Sequence, residues 1–512
     1  MEEYDFIVIG SGSGLDVANV AANQGLSVAV VEKGRLGGTC LNRGCIPSKD
    51  LLYHAHVMET VEHADEFGID ASVNDVAFAD IVREVNDDVH GSSDSIQRGL
   101  RTSDAIDLYE AEARFVDDRT LELSDSAADG EQLRGETVLV AAGTRPAIPP
   151  IDGLETVEYL TSKEALQLET RPDHLLIVGG GYIAAELAQF FGAFGSEVSI
   201  VGRRPRLLPD ADEEVAAAFT ERYADRFDVY TGYEAASVSV ADGSLTVEAR
   251  PFMYGEGSEA NTDGGEATAA EAPVTVTGDE LLVAVGRVPN TDALNVEAAG
   301  IETDADGFVE TDEYLRTTAE GVWALGDIVG EYLLKHNANH EAQTVARNLF
   351  GEALEPVDYS AMPFAVFGSP EVAGVGLTEQ ELRAMDREYA KRTYRYEETA
   401  RGSAMHAEGF VKPLIDLEGE LLGCHIIGPE ASNLIEEVVV AMTAGTGTVH
   451  DIRDSVHIHP ALSEVVQRAF TGQFTRGGGH GHEHGHTHDH SHGDGRDHDH
   501  DHSHNHDHDH DH

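Results

Sequence analysis

A chain of 512 residues has room for about three to four domains with cores of their own, and needs no disulfide staples to fold. It carries 94 acidic against 34 basic side chains, a formal net charge of -60, and only three cysteines. That charge excludes nucleic acid and anionic membrane as natural partners, and no apolar run reaches the ~20 residues that would span a bilayer. The acids are spread along the whole chain, so self-repulsion is strong in dilute buffer and screened at molar salt, where the Debye length falls to about 3 Å. The composition points to a halophilic host.

The N-terminus, MEEYDFIVIG, begins with acids and enters an apolar strand at once, without a basic or long hydrophobic leader, which predicts a cytoplasmic protein. From Asp5 the stretch DFIVIGSGSGLDVANVAANQGLSVAVVEKG reads as strand, glycine turn, helix and strand. Such a unit leaves backbone N–H groups facing a pyrophosphate at a helix N-terminus. The turn offers Gly10, Gly12 and Gly14, but Leu15 stands where G-x-G-x-x-G wants its last glycine, so close helix-to-strand packing is not guaranteed. Glu32, read as the end of the second strand, is placed to accept hydrogen bonds from a ribose diol, which suits the adenosine of FAD.

GGTCLNRGCIPSK follows directly, from Gly37 to Lys49, with Cys40 and Cys45 five residues apart. The C-x4-C spacing lacks the second pair that a four-ligand zinc site needs. Cys424 lies alone in the apolar run LLGCHIIG and reads as a small buried hydrophobe. A redox disulfide between Cys40 and Cys45, beside the cofactor of the first unit, is the reading that survives. Arg43, between them, either meets a substrate carboxylate or is a solvated loop residue.

The strand–turn–helix–strand grammar recurs about 170 residues on, in LLIVGGGYIAAELAQFFGAFGSEVSIVGRR. Two copies argue for two dinucleotide sites. Here the position equivalent to Glu32 is Gly202, followed by Arg203, Arg204 and Arg206. The acid that would repel a 2′-phosphate is replaced by cations, which suits NADPH over NADH; the alternative is that the arginines only offset local acids. Further on, EGSEANTDGGEATAAEA reads as an acidic surface insertion. Residues 476–512 hold 15 of the 27 histidines and almost nothing apolar, so this tail is expected to be disordered. Its alternating His and Asp, beginning with His480, His482 and His484, either bind divalent metal weakly or only solvate the chain. Metal binding is the hypothesis of a different class.

The two glycine turns and GGTCLNRGCIPSK, with VLVAAGTRP, LLVAVGRVPNTDAL, GVWALGDIVG and HIHPALSEVV in this order, resemble the FAD-dependent pyridine nucleotide-disulfide oxidoreductases from Tyr4 to about Phe474. The resemblance implies an α/β fold: two Rossmann-like dinucleotide-binding domains and an α+β C-terminal dimerisation domain. FAD binding would occupy residues 1–150 and 277–352, NADPH binding 151–276, and dimerisation 353–475. It implies that Gly143 and Asp327 help hold FAD, and that NADPH binds at Gly179, Gly181, Ala184, Arg203 and Arg204. Glu186 would lie near the nicotinamide and pair with Lys49 beside the flavin. Cys45 would be the thiol facing the flavin and Cys40 the thiol that attacks the substrate. His459 would be the acid-base residue, oriented by Glu464 and supplied by the second subunit of a homodimer, while His457 would pack against its neighbour. YLLKHNANHEA would open a helix whose N-terminus faces the flavin.

Extra C-terminal cysteines, which mercuric reductases and high-molecular-weight thioredoxin reductases carry, are missing beyond Cys424. GSGSGLD, YLLKHNANHEA and IHPALSEVV look most like mycothione reductase and are compatible with the bis-γ-glutamylcystine reductase of halophilic archaea. The expected substrate is a low-molecular-weight disulfide of that kind. An NAD-linked dihydrolipoamide dehydrogenase is the alternative.

Overall fold

The computed structural model describes residues 1–125, 128–252 and 272–477. It divides into two units, residues 1–478 and 479–512. The second unit, with His480, His482 and His484, lies outside the described residues, as does all of the acidic insertion but Ala272.

The first sheet has seven strands drawn from both ends of the first 325 residues. Ile106–Tyr109, Val28–Val31, Glu2–Ile9, Gln132–Val140 and Val322–Ala324 run parallel; Thr120–Ser124 and Glu112–Asp117 continue the other edge antiparallel. All four residues of Val28–Val31 are buried, as expected of a parallel strand covered on both faces. Ile9 sits between Val31 on one side and Val140 on the other. Strand order reverses about this central strand, so the residues after Ile9 emerge where a doubly wound sheet opens its ligand crevice.

A second parallel sheet runs Asp228–Thr231, Glu197–Gly202, His174–Val178 and Glu280–Val283. An antiparallel sheet of Tyr233–Ala241, Ser244–Pro251 and Val274–Gly278 follows it in the chain. Helix Tyr182–Ala193 starts at the second glycine turn and is buried over most of its length. Its Phe190 and Phe191 pack with Phe194 around Phe78 at ring-centroid distances of 5.4 to 6.2 Å, with all of them in a shared apolar core that includes Leu51 and Leu52. Burying each such ring is worth about 2–3 kcal/mol. This packing fixes helix Tyr182–Ala193 against helix Cys45–Glu62.

From Phe364 on the chain forms an antiparallel sheet, including Val372–Gly376, Leu421–Ile427 and Phe410–Ile415, covered by short helices such as Glu436–Thr443 and Glu464–Ala469. The fold is the expected mixed α/β architecture with an α+β C-terminal part. Cys424 is fully buried in this sheet, as its apolar run suggests. Lys412, also fully buried, donates from Nζ to Asp212 at 2.8 and 3.0 Å and to Glu379 at 2.5 Å. Asp212 caps helix Glu213–Ala224 by accepting from the Glu214 N–H, so this ion cluster ties the second nucleotide unit to the C-terminal sheet. Burial opposes charge on Glu379, but hydrogen bonds from Lys391, Lys412 and Tyr389 hold its carboxyl down at about 2.

Candidate active site

One cavity gathers the first glycine turn, the cysteine pair and the starts of several helices. Gly10, Gly12, Glu32, Cys40, Cys45, Lys49, Gly143, Glu186 and Asp327 all line it. The backbone explains why glycine is needed. Gly10 has φ +101°, and a Cβ there would lie 2.3 Å from the Ala141 carbonyl oxygen. At Gly12 a Cβ would meet nothing within 4 Å: it would project into the cavity and fill the cradle in front of helix Gly14–Asn23. Gly14 supplies the close approach doubted from Leu15, since a Cβ there would sit 2.8 Å from Val8 Cγ1 and 2.9 Å from Ala141 Cβ. The turn is thus G-x-G-x-G, with Leu15 packed into the core.

The strand stops at Val31, one residue before Glu32. Glu32 then accepts from the Ser11 N–H and Oγ at 2.9 and 2.7 Å through Oε2, and from the Gly34 N–H at 2.8 Å through Oε1. Its carboxylate is held at the cavity wall with acceptor capacity to spare. Asp327 accepts from Thr144 Oγ1 at 3.0 Å, and Thr144 is itself clamped by Arg287 at 2.6 Å on Oγ1 and 2.9 Å on the carbonyl. The open cradle at Gly12 in front of a helix N-terminus and two tethered carboxylates fit the pyrophosphate, ribose and ribityl groups of a flavin dinucleotide.

The cysteines occupy a broken helix. Gly38–Arg43 ends at Gly44, and Cys45 begins the helix Cys45–Glu62. Asn42 pins the preceding loop by donating from Nδ2 to the carbonyls of Leu36 and Gly38 at 2.9 and 3.0 Å. Both cysteines are free thiols in this structure. The Cys40 thiol donates toward Cys45, and with the nearby Lys49 ammonium lowers the Cys45 thiol to about 6. The same hydrogen bond, with burial, pushes Cys40 up. The reduced pair is therefore one thiolate, Cys45, and one thiol, Cys40, with the thiolate at a helix N-terminus.

Lys49 reaches across from this helix to Glu186 on the neighbouring one, at 2.8 and 2.6 Å to its two carboxylate oxygens. Glu186 is 4 % exposed and also accepts from the Phe367 N–H at 3.1 Å. Tyr182, at the start of the same helix, lines the cavity too. Sequence reading passed over Tyr182, Arg287 and Thr144; the signal available for Arg287 was a cation inside the strand motif LLVAVGRVPN.

The second turn repeats the geometry of the first. Gly179 has φ +136°, and a Cβ would lie 2.1 Å from the Ala284 carbonyl oxygen; at Gly181 a Cβ would meet nothing within 4 Å. Ala184 is buried in the first turn of the helix. The turn does not line the main cavity, which it borders only through Tyr182, Ile183, Glu186 and Leu187 of its helix. The three arginines after Gly202 are not equivalent. Arg203 stacks its guanidinium 5.6 Å from the centre of the Phe252 ring, Arg204 is exposed, and Arg206 pairs with Glu213 at 3.2 Å, a carboxylate that Arg383 also holds at 2.9 Å.

His459 accepts no place in the cavity of its own chain. Its Nδ1 lies 3.0 Å from both carboxylate oxygens of Glu464, which is 5 % exposed, while most of the imidazole is open to solvent. The hydrogen bond from His459 holds the Glu464 carboxyl below its usual range. His457 pairs with Glu437 at 2.8 Å. Among the described residues no three His, Cys, Asp or Glu side chains are placed to hold a metal ion, and no helix is long and apolar enough to cross a membrane.

Residues 4–342 match the family model for pyridine nucleotide-disulphide oxidoreductases, and residues 362–470 match the dimerisation domain of the same family. The chain belongs to this family. It is 38% identical to the mycothione reductase of Mycobacterium tuberculosis over 483 residues, covering 92% of this chain and 100% of that protein. It is 36% identical to dihydrolipoyl dehydrogenase 3 of Haloarcula marismortui, covering 91% of this chain and 95% of the relative. Among solved structures it resembles RclA, an HOCl-induced flavoprotein disulfide reductase from Escherichia coli, with a TM-score of 0.78, 27% identity, and coverage of 91% of this chain and 99% of the other. The chain is accordingly an enzyme, a flavoprotein disulfide reductase of the mycothione reductase and dihydrolipoamide dehydrogenase type, from a family that binds FAD and a pyridine nucleotide.

Proposed function

We propose that this enzyme uses NADPH to reduce a low-molecular-weight disulfide of the mycothione or bis-γ-glutamylcystine type in the cytoplasm of a halophile. The observation that carries the reading is the Cys40–Cys45 pair set in one cavity with the first glycine turn and the Lys49–Glu186 ion pair. FAD, when bound, supplies the electron relay between nicotinamide and cysteines. Gly10, Gly12, Gly14, Glu32, Gly143 and Asp327 hold it; Gly179, Gly181 and Ala184 form the nucleotide turn. Arg203 and Arg204 favour the 2′-phosphate, supported by the missing acid at Gly202 and by the commitment of Arg206 to Glu213.

The thiol pair works in two exchanges. Cys40 loses its proton, attacks one substrate sulfur and forms a mixed disulfide, and the first product leaves as a thiolate that takes a proton. The Cys45 thiolate then attacks Cys40 Sγ, expels the second product thiolate, and closes the Cys40–Cys45 disulfide. One disulfide becomes two thiols as the dithiol becomes a disulfide, so electrons balance. The proton traffic falls to His459, oriented by Glu464. Because His459 is exposed and absent from its own chain's cavity, we assign it to the site of the second subunit in a two-fold homodimer. The domain division proposed is 1–150 with 277–352 for FAD, 151–276 for NADPH and 353–475 for dimerisation.

The likeness to dihydrolipoyl dehydrogenase 3 of Haloarcula marismortui favours a second reading, NAD-linked oxidation of dihydrolipoamide. Both share the cysteine chemistry. Counting accessible thiols in the air-oxidised holoenzyme before and after NADPH tests it: two thiols should appear in wild type and none in the C45S variant, whereas an unchanged count in wild type would refute the redox pair.

A further inference from the structure

Arg43 is the last residue of helix Gly38–Arg43, three residues after Cys40 and two before Cys45. Residues three apart on a helix share a face, so its side chain leaves the helix beside that of Cys40, the thiol assigned to attack the substrate. Arg43 lines the main cavity and is exposed, so a molecule arriving from solvent can reach it. Five positively charged side chains line this cavity, and the other four are held. Lys33 lies 3.4 Å from Glu112, Lys49 2.6 Å from Glu186 and Arg287 3.9 Å from Asp327. The Lys335 ammonium donates to Ser13 Oγ at 2.8 Å and to Asn339 Oδ1. Among the described residues, the Arg43 guanidinium meets neither a carboxylate nor any other acceptor.

In a chain with 94 acids, a guanidinium left without one beside the attacking thiol keeps its planar fork of donors open for a carboxylate from outside. The net charge of -60 repels an anionic substrate, and a cation at the attacking sulfur offsets this where the disulfide has to dock. Small disulfides differ in what they can offer such a cation. In bis-γ-glutamylcystine the carboxyl of each cysteine is free and ionised, next to the carbon that carries the sulfur arm. In mycothione that carboxyl is tied up in an amide, and lipoamide ends in a neutral amide. A guanidinium on the same helix face as Cys40 therefore tells the first from the other two.

We propose that Arg43 is a specificity residue: it binds a free carboxylate next to the substrate disulfide, so that Cys40 meets a disulfide of the bis-γ-glutamylcystine class in preference to one whose cysteine carboxyls are amidated. The proposal rests on the reading of Cys40 and Cys45 as an NADPH-driven reductant of small disulfides and narrows its substrate. Steady-state kinetics of the purified holoenzyme with NADPH at fixed molar KCl test it, comparing bis-γ-glutamylcystine with the diamide made by capping its two cysteine carboxyls. Wild type should have a kcat/KM about 30-fold higher for the free acid, the worth of one charge-assisted contact, carried mainly in KM. R43M should bring the two substrates within about three-fold, and R43K, which keeps the charge without the fork, should lie between. Bound flavin, read by absorbance, should be the same in all three proteins. Equal efficiency on both disulfides in wild type would overturn the proposal, and so would an equal loss on both in R43M, which would leave Arg43 a structural role. R43M purifying without FAD would overturn it too, by assigning the guanidinium to the cofactor. If wild type gained two thiols from NADPH but reduced neither disulfide, the proposal would fail with the redox pair intact; if it gained none, the redox pair would fail and the proposal with it.

Discussion

At Cys45 a single hydrogen bond from Cys40 and the Lys49 charge decide which sulfur is ionised. A thiol lowered in the folded enzyme is a thiolate above its pKa, so the thiolate absorbance of the reduced enzyme should appear as pH rises through about 6. C40A removes the first cause and K49M the second, and each should move the midpoint upward; a midpoint unchanged in both would contradict the assignment. K49M also strands the buried Glu186 carboxylate, which keeps only its bond from the Phe367 N–H, and should cost about 3 kcal/mol in urea unfolding. Cysteines and glycines were legible in the sequence because their chemistry demands particular residue types at fixed spacing, and the His459–Glu464 pair through the resemblance of HIHPALSEVV to the family. The Thr144–Arg287 clamp on Asp327 was not, since it joins residues 143 positions apart through side-chain geometry that no local pattern records.

At the scale of elements, the two glycine turns have the same shape and separate tasks. In G10A the added methyl collides with the Ala141 carbonyl, and in G179A with that of Ala284. The expected outcomes differ: G10A should purify without flavin, while G179A should stay yellow and lose reduction by NADPH at ordinary nucleotide concentrations. Flavin content and stopped-flow absorbance check both. G14A would push helix Gly14–Asn23 off its strand and should lower stability by about 1–3 kcal/mol, as overpacking does. The strand–turn–helix grammar was readable because strands and helices have distinct periods. What escaped was the shift of the tight glycine from position 15 to Gly14, because the motif fixes an average spacing and only the packing against Val8 shows which glycine touches the sheet.

The ion cluster around Lys412 acts between elements far apart in sequence and sets part of the molecule's response to acid. Glu379 is held at about 2 against an ordinary 4.5. A carboxyl lowered in the folded state contributes stability above its unfolded pKa and loses it as pH falls through the folded value. Thermal stability at constant salt should therefore decline between pH about 4.5 and about 2, and E379Q should flatten that decline; an equally steep fall in the variant would remove Glu379 from the cause.

For the whole molecule, the charge of -60 predicts that melting temperature and turnover rise together with KCl up to the molar range, since screening relieves repulsion between acids spread over the surface. The same composition is the clearest sequence signal for partners, and predicts that polyanions are repelled. Deleting residues 476–512 should abolish any binding of Ni or Zn ions and leave turnover unchanged.

What the cysteine pair reduces, and with which nucleotide, decides the role of this enzyme. Initial rates of the purified enzyme in molar KCl, comparing NADPH plus bis-γ-glutamylcystine or mycothione with NAD plus dihydrolipoamide, test that most directly. A clear preference for the first set is the predicted result. Turnover of dihydrolipoamide with NAD alone would contradict the reading of Gly202, Arg203 and Arg204, and would assign the enzyme to the oxidation of dihydrolipoamide.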